Sequence, residues 1–310
     1  MEIKNDTLVT EFMGIPHTDG QKIVCFVMFM IFYLCMLLGN LLILLSVMSD
    51  SHLHMPMYFL VCNLSALDIG FSFVSTPKIL ANLLVRSQVI SLGGCMCQVF
   101  FHHFLGSTEC LLYTVMANDG FATICYPLCY TIIMNCQVCV LLAAGTWFTS
   151  SFHVTILTTL TFQLPYCNSN EGDYFFCDIF PVVRLACDDT LIIETVSFTN
   201  IGLVPMTCFL PILASYIRII TAILKMQSAK GRRKAASTCG SHLSGVTLFF
   251  GPYALIYTQP SLSDVLVTLQ IFVHVVTPML NPTIYTLRNQ DIKGALKKLA
   301  GGQIVSEGGH

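Results

Sequence analysis

Seven apolar stretches follow one another along this 310-residue chain, and short polar segments separate them. A helix needs roughly 20 residues to cross a hydrocarbon core about 30 Å thick, and each stretch reaches that length. In lipid, only helices and closed barrels satisfy all backbone hydrogen bonds within the membrane. The sequence therefore predicts an all-α membrane protein with seven spans, near Ile23–Met48, Met57–Leu84, Cys97–Cys125, Val138–Phe162, Thr195–Leu224, Lys234–Tyr257 and Val265–Leu287.

The composition fits an exterior that faces lipid. Only 10% of the residues are charged, whereas soluble domains have roughly 25%, and the mean hydropathy is +0.73. The third and sixth stretches are the least apolar and would be the easiest to miss by hydropathy. The net charge of −2 argues against nucleic acid as a partner, because nucleic-acid binding needs a strongly basic surface.

The basic residues predict the orientation of the spans. Two thirds of them lie in or beside the fifth-to-sixth connection, or after the last span. Cytoplasmic segments carry such an excess of Lys and Arg, so both regions are expected inside the cell and the N-terminus outside. The cluster Arg232–Lys234 can be interpreted as serving only to set this orientation, with no further role. The residues in question are Arg218, Lys225, Lys230, Arg232, Arg233, Lys234, Arg288, Lys293, Lys297 and Lys298.

This topology divides the chain into three parts. Residues 1–22 are an extracellular segment that is acidic and lacks the apolar core of a cleavable signal peptide, so the first span is expected to be an uncleaved signal anchor. Residues 23–287 are the seven-helix transmembrane domain. Residues 288–310 are cytoplasmic, and Gln290–Leu299 has the pattern of a short amphipathic helix at the membrane interface. Asn5, in the sequence Asn-Asp-Thr, is a predicted glycosylation site on the outer face.

Most of the 15 cysteines lie in apolar stretches, where a thiol behaves as a small hydrophobic group. An oxidising compartment permits disulfides among the others, and tying down a loop of about thirty residues would stabilise the protein by roughly 3 kcal/mol in the chain-entropy model. The residues alone do not decide which cysteines are paired. The candidates for disulfides are Cys95, Cys97, Cys167, Cys177 and Cys187.

Charged and amide side chains occur within four of the spans, at Asn40, Asp68, Glu109 and Asn281. Such groups are costly in lipid and are usually functional. Two acids without a basic partner at mid-depth require water, a bound cation or a proton. We interpret the set as a polar core linked to a conformational switch, and hydrogen bonding that only joins the helices is the alternative.

A second group of side chains lies toward the outer halves of the third, fifth, sixth and seventh spans. A few polar groups among apolar residues are typical of a pocket for a small, mostly apolar ligand. Plain helix packing is one alternative. A metal site at the two adjacent histidines is another, but no third or fourth ligand occurs at a suitable spacing, and no metal is predicted. The pocket candidates are His102, His103, Gly106, Ser107, Asn200, Tyr253, Tyr257 and His274.

Several motifs, in order along the chain, resemble those of vertebrate olfactory receptors. The first joins the first inner loop to the second span, and the next lies at the inner end of the third span. The most diagnostic one opens the sixth span, and the last ends the seventh. The matching segments are His54–Leu60, Leu64–Asp68, Met116–Asp119, Ala122–Leu128, Lys234–Leu243, Pro278–Tyr285 and Leu287–Asn289.

The resemblance implies a rhodopsin-like seven-helix receptor, and not an enzyme, at the plasma membrane. Its ligands would be small volatile organic molecules, and its partner would be a stimulatory heterotrimeric G protein. Ligand binding would shift the receptor population toward a state whose opened inner face accepts that G protein. The family's disulfides map onto Cys95–Cys177 and Cys167–Cys187, and its sodium-linked polar core maps onto Asp68 and Glu109. The expected residues for G-protein coupling are Asp119, Gly120, Phe121, Tyr216, Lys234 and Tyr285.

The chain departs from the family pattern at its inner face. The family has Asp-Arg-Tyr where this chain has Asp119, Gly120 and Phe121. Glycine cannot make the contacts of the arginine, and it costs a helix roughly 1 kcal/mol relative to alanine. In addition, Phe250 replaces a family tyrosine, and residues 126–137 contain no Lys or Arg. The alternative function is therefore an olfactory receptor that is impaired in coupling or does not signal.

Two other classes of membrane protein make predictions that this sequence does not meet. A transporter or channel would show internal repeats and paired interrupted helices, and neither occurs. An enzyme would need a catalytic constellation, but the chain has no nucleophile–base pattern, phosphate-binding glycine loop or zinc-protease motif.

Overall fold

The computed structural model describes residues 7–10, 19–84, 89–164, 171–172, 177–183, 186, 191–258, 277–288 and 290–300. Most of these residues are helical, and a 3-10 turn at Ser51–Leu53 follows the first helix. The helices are α1 (Asp19–Ser49), α2 (Pro56–Leu84), α3 (Leu92–Cys125), α4 (Tyr130–Ile133), α5 (Cys136–Phe162), α6 (Ile179–Val183), α7 (Leu191–Lys225), α8 (Ala229–Thr258), α9 (Thr277–Arg288) and α10 (Gln290–Ala300).

Seven of these helices, α1, α2, α3, α5, α7, α8 and α9, coincide with the predicted spans. Several begin a turn before the apolar stretch, because a helix can continue past the lipid where a cap satisfies its first N–H groups. At the start of α3, the side chain of Ser91 accepts a hydrogen bond from the N–H of Gly94 at 3.1 Å. Residues 265–276 of the seventh predicted span lie outside the described residues.

Four of the described helices are long and apolar enough to cross a membrane. Helices α3 and α8 are long enough to cross a membrane but are not apolar enough to be identified by hydropathy, as expected for the third and sixth spans. Large apolar side chains on the outside of α5 and α7, such as Phe148 (76% exposed) and Leu210 (63%), fit contact with lipid rather than water. The four segments are Lys22–Ser49, Pro56–Ala81, Cys136–Phe162 and Gly202–Lys225.

Helix α3 lies at the centre of the bundle and packs against α2, α5, α7 and α8. Its Tyr113 is fully buried, and the ring centroid lies 5.5 Å from that of Phe249 and 6.4 Å from that of Phe250 on α8. A helix surrounded by other helices can carry polar residues without exposing them to lipid. This burial explains how α3 can be less apolar than α2, α5 and α7.

Helix α1 approaches α9 closely at a glycine. A Cβ atom on Gly39 would lie 2.9 Å from the Cβ of Pro282, closer than real Cβ contacts allow. Next to it, Asn40 Nδ2 donates to the backbone oxygens of Met36 at 3.2 Å and Pro278 at 3.5 Å. The absence of a side chain at residue 39 therefore permits the hydrogen bond that joins the first and last spans.

A small sheet lies among the connections at the N-terminal end of α3 and was not predicted from the sequence. Strand β1 (Thr7–Thr10) lies between β2 (Val89–Ser91) and β3 (Glu171–Gly172). It pairs antiparallel with β2 and parallel with β3. The N-terminal segment is thus attached to two connections on the same side of the bundle.

The predicted amphipathic helix after the last span is present as α10. Its apolar residues Ile292 and Ala295 are buried against the bundle, and Lys298 Nζ lies 2.8 Å from Oδ2 of Asp50. The hydrogen bond from Lys298, with those from the backbone and side chain of His52, lowers the pKa of the Asp50 carboxyl to about 2. This contact joins α10 to the connection between α1 and α2.

Candidate functional site

The N-terminal half of α3 contacts the connection that contains α6 through His103. Its Nε2 lies 2.8 Å from Oδ1 of Asp178, and the two side chains are only 13% and 17% exposed. The backbone N–H of Ile179 donates to the same oxygen at 2.7 Å. Burial raises the pKa of the Asp178 carboxyl, but the hydrogen bond from His103 and the charges of His103 and His102 outweigh it and hold that pKa well below its usual range.

The disulfide lies directly beside this pair. Cys95 on α3 is bonded to Cys177, with the Cα atoms 5.5 Å apart, which is the pairing that the family resemblance implies. The backbone N–H of Cys177 also donates to Oε1 of Gln98 at 3.3 Å. The disulfide, the hydrogen bond to Gln98 and the contact with His103 together hold residues 177–178 along the first turns of α3. Cys97 is a free, exposed thiol.

Other predicted site residues are only partly described. On α3, His102 is buried with its ring edge-on to Phe71 at 5.5 Å, Gly106 is buried and Ser107 is half-buried. No group of three His, Cys, Asp or Glu able to hold a metal ion occurs among the described residues. The side chains of Asn200, Tyr253, Tyr257 and Tyr285, and the whole of Asn5, Cys167, Cys187 and His274, lie outside the description.

The polar core predicted from four spans is brought together in the middle of the bundle. Asn281 on α9 donates from Nδ2 to both carboxylate oxygens of Asp68 on α2, at 3.1 and 3.2 Å. Glu109 on α3 lies close enough to Asp68 for their charges to interact, and it also contacts Asn281 and Tyr113. All of these acids and amides, including Asn40, are at most 2% exposed.

This core has more oxygen acceptors than donors. Three buried oxygens, Oδ1 of Asn40, Oε1 of Glu109 and Oδ1 of Asn281, have no hydrogen-bond partner among the described residues. Neither Asp68 nor Glu109 forms a salt bridge with a described basic residue. Uncompensated buried oxygens are unfavourable, so this group of oxygen atoms fits a hard cation or ordered water as its partner.

Near the C-terminal end of α3, the buried Asp119 accepts a hydrogen bond from the hydroxyl of Tyr130 at 2.9 Å. Gly120 follows it, and among the described residues a Cβ atom there would meet only Cδ1 of Ile219, at 3.8 Å. Phe121 packs edge-on against Tyr126 at 5.6 Å. The sequence singled out residues 119–121 but did not identify Tyr130, whose only signal was a hydroxyl in the predicted second inner loop.

Helices α7 and α8 are joined on the same side. The hydroxyl of Tyr216 lies 2.6 Å from Nδ1 of His242, and the two rings are stacked 5.7 Å apart. Lys234, near the start of α8, lies 3.4 Å from Asp291 on α10, which also accepts a hydrogen bond from Tyr58. This end of the bundle is therefore held by side-chain contacts between helices. Sequence analysis did not single out His242, which it recognised only as a member of the motif Lys234–Leu243.

Comparison with known proteins identifies the family. The family model for olfactory receptors matches residues 29–301. Olfactory receptor 10D3 of Homo sapiens is 54% identical over 302 residues, which cover 96% of this chain and 97% of that protein. Olfactory receptor 10D3 of Mus musculus is 54% identical over 312 residues, covering 99% and 100%. Olfactory receptor 10G7 of Homo sapiens is 46% identical over 310 residues, covering 99% and 100%.

These matches span nearly the whole chain, and they include the motifs at both ends of the bundle. They confirm the predicted fold class and the expectation that the protein is not an enzyme. The chain belongs to the olfactory receptor family of rhodopsin-like, seven-helix G-protein-coupled receptors.

Proposed function

We propose that this protein is an odorant receptor of the plasma membrane, with its N-terminus outside the cell, which binds small, mostly apolar organic molecules and signals to a stimulatory heterotrimeric G protein. The observation that carries the proposal is the series of polar groups along α3: His103 near the outer end, Glu109 in the middle and Asp119 near the inner end. Sixteen residues of helix correspond to about 24 Å. One helix thus connects the proposed ligand side with the proposed G-protein side.

The polar core supplies the element that can switch. Asp68 and Asn281 join α2 to α9, and Glu109 places α3 against the same group. A ligand that prefers one arrangement of these helices shifts the population toward it by its difference in affinity. Rearrangement of α3 would then alter the contacts of Asp119 at the inner face.

Cyclic AMP measurements in transfected cells test this function. Cells that carry the receptor with an outer epitope tag are exposed to a panel of small volatile compounds, and surface staining verifies delivery. We expect a dose-dependent rise in cyclic AMP that disappears in cells lacking the stimulatory α subunit. A rise that persists in those cells would contradict the proposed G protein.

Gly120 favours a second candidate function, a receptor that binds odorants but couples weakly. The space around residue 120 admits a side chain, since the one neighbour of a Cβ atom there within the described part of the chain is Ile219, at 3.8 Å. We expect Gly120→Arg to respond more strongly than the unchanged chain, and Gly120→Ala, which improves helix propensity without adding a charge, to remain weak. Equal, robust responses from all three receptors would refute impaired coupling.

We also propose a sodium ion as the cation of the polar core. Two buried carboxyl groups, Asp68 and Glu109, and the unpartnered amide oxygens of Asn40 and Asn281 support it, because hard cations prefer oxygen ligands. When bound, the ion would supply positive charge that offsets the repulsion between the two acids. The side chains of Asp68, Glu109 and Asn281 would hold the ion between α2, α3 and α9.

A further inference from the structure

A small cavity at the inner ends of α3, α7 and α8 has one acidic wall. Its volume is about 50 Å³, and its lining includes Asp119, Gly120, Tyr216 and His242. One water molecule needs roughly 10–15 Å³ of such space, so the cavity has room for roughly four water molecules. This is more than one ordered water and less than an odorant.

The acid in this wall lacks a counterion. Asp119 is 2% exposed, and its hydrogen bond comes from the neutral hydroxyl of Tyr130. No salt bridge within the described part of the chain includes Asp119. Because a buried carboxylate without a cation is unfavourable, the cavity has an electrostatic preference for a positively charged occupant.

Other polar atoms in the lining can also accept hydrogen bonds. When the Tyr216 hydroxyl donates its one proton to the backbone oxygen of Cys239 at 3.3 Å, Nδ1 of His242, 2.6 Å away, donates to that hydroxyl, and Nε2 of the neutral ring is then an acceptor. The Nε2 atom of His242 is buried and has no hydrogen-bond partner among the described residues. The side chain that lines the cavity from α8 therefore has an unused ring nitrogen.

Gly120 provides the space. Of the residues that the structure describes, a Cβ atom at this position would have a single neighbour, Ile219 Cδ1 at 3.8 Å, so the missing side chain leaves the region beside Asp119 open. A larger residue would extend into the same region. The site is thus formed by a carboxylate next to a glycine, with hydrogen-bond acceptors on the opposite helices.

We propose that this cavity is a binding site for a guanidinium group, either as a free small cation or as the end of an arginine side chain. Guanidinium has four heavy atoms, is planar and presents several N–H donors in a geometry that matches a carboxylate. An ammonium ion would fill only part of the space. A metal ion would need more ligands, and no suitable group of three occurs among the described residues.

Thermal unfolding of the purified, full-length receptor in detergent tests the proposal without any need for signalling. Unfolding can be followed with a thiol-reactive dye, because Cys110, Cys139 and Cys208 are buried free thiols. Low-millimolar guanidinium chloride should raise the midpoint temperature by a few degrees and in a saturable manner, as expected for a ligand that binds only the folded state. Urea, a neutral molecule of the same shape, and sodium chloride at equal ionic strength should not.

Two variants locate the effect. Asp119→Asn removes the charge while keeping the shape, and Gly120→Leu fills the cavity with a neutral side chain; the guanidinium-specific rise should vanish in both. A blocked arginine peptide tests the second source, and a matching lysine peptide is its control. The proposal is overturned if urea acts equally, if no specific rise occurs, or if the rise persists in either variant. Because odorant-dependent cyclic AMP is not the readout, failure here is distinguishable from failure of the receptor function.

Discussion

The hydroxyl of Tyr130 donates to Oδ1 of Asp119 at 2.9 Å and so ties the segment after α3 back to the C-terminal end of that helix. Burial and the neighbouring Asp119 carboxyl raise the pKa of this hydroxyl, so it stays protonated and remains a donor at physiological pH. The C-terminal end of α3 is therefore restrained from within the chain, although the residue beside Asp119 is a glycine. This contact lies where the proposed G protein would bind.

Replacing Tyr130 with phenylalanine removes this donor and leaves a buried acceptor without a partner. We expect Tyr130→Phe to destabilise the folded receptor by about 1–3 kcal/mol and to lower its midpoint of thermal unfolding. Tyr126→Phe is the matched control, since Tyr126 is exposed and contacts Phe121 through its ring, which phenylalanine retains. Equal midpoints for the two variants would show that the hydrogen bond to Asp119 is dispensable.

The contact between His103 and Asp178 gives stability a dependence on pH. Because the pKa of Asp178 is lowered in the folded protein, its ionised form stabilises fully above the ordinary Asp pKa of about 3.9, and this contribution is lost as the pH falls further. The difference in unfolding midpoint between the unchanged chain and Asp178→Asn should therefore shrink as the pH falls below about 4. A difference that grows on acidification would contradict this assignment.

The close approach of α1 and α9 predicts a position that does not tolerate even one methyl group. Gly39→Ala would place Cβ 2.9 Å from Cβ of Pro282, and we expect a loss of about 1–3 kcal/mol from overpacking. Gly145→Ala on α5 is the control. Nothing lies within 4 Å of that Cβ position, so better helix propensity should leave stability unchanged or raise it by up to about 1 kcal/mol. Similar behaviour of the two variants in thermal unfolding would contradict the contact.

The proposed sodium site predicts an ion-specific effect on stability. Replacing sodium chloride with N-methylglucamine chloride at the same ionic strength should lower the unfolding midpoint of the unchanged chain, because the ion binds the folded state. The effect should disappear in Asp68→Asn, which keeps the size of the side chain but removes its charge. Ser75→Ala, at another buried polar position of α2, should retain it. Equal sensitivity of Asp68→Asn and the unchanged chain would exclude the site.

The sequence predicted the spans well because length and hydrophobicity are local properties that lipid imposes on each helix separately. It also predicted the helix at residues 290–300, whose apolar side repeats with helical spacing. The prediction of the polar core followed from the free-energy cost of exposing Asp68 and Asn281 to lipid, because that cost favours contacts between such residues. In these cases a single physical requirement acts on a short stretch of chain.

The contacts that sequence analysis missed join residues far apart along the chain. Strand β1 has four residues and is defined only by its partners at residues 89–91 and 171–172. Nothing in the local sequence distinguishes Asp178 as the partner of His103. Such pairings depend on how loops cross the ends of the bundle, and hydrophobic periodicity contains no information about that.

Accessibility of two epitope tags on intact cells tests the seven-crossing topology on which the receptor depends. One tag precedes residue 5 and the other is inserted between Lys225 and Lys234, and each is stained before and after permeabilisation. We predict that the first tag is stained on intact cells and the second only after permeabilisation, while Asn5→Gln removes a glycan sensitive to peptide N-glycosidase. Staining of both tags from the same side would mean an even number of crossings and would contradict the receptor.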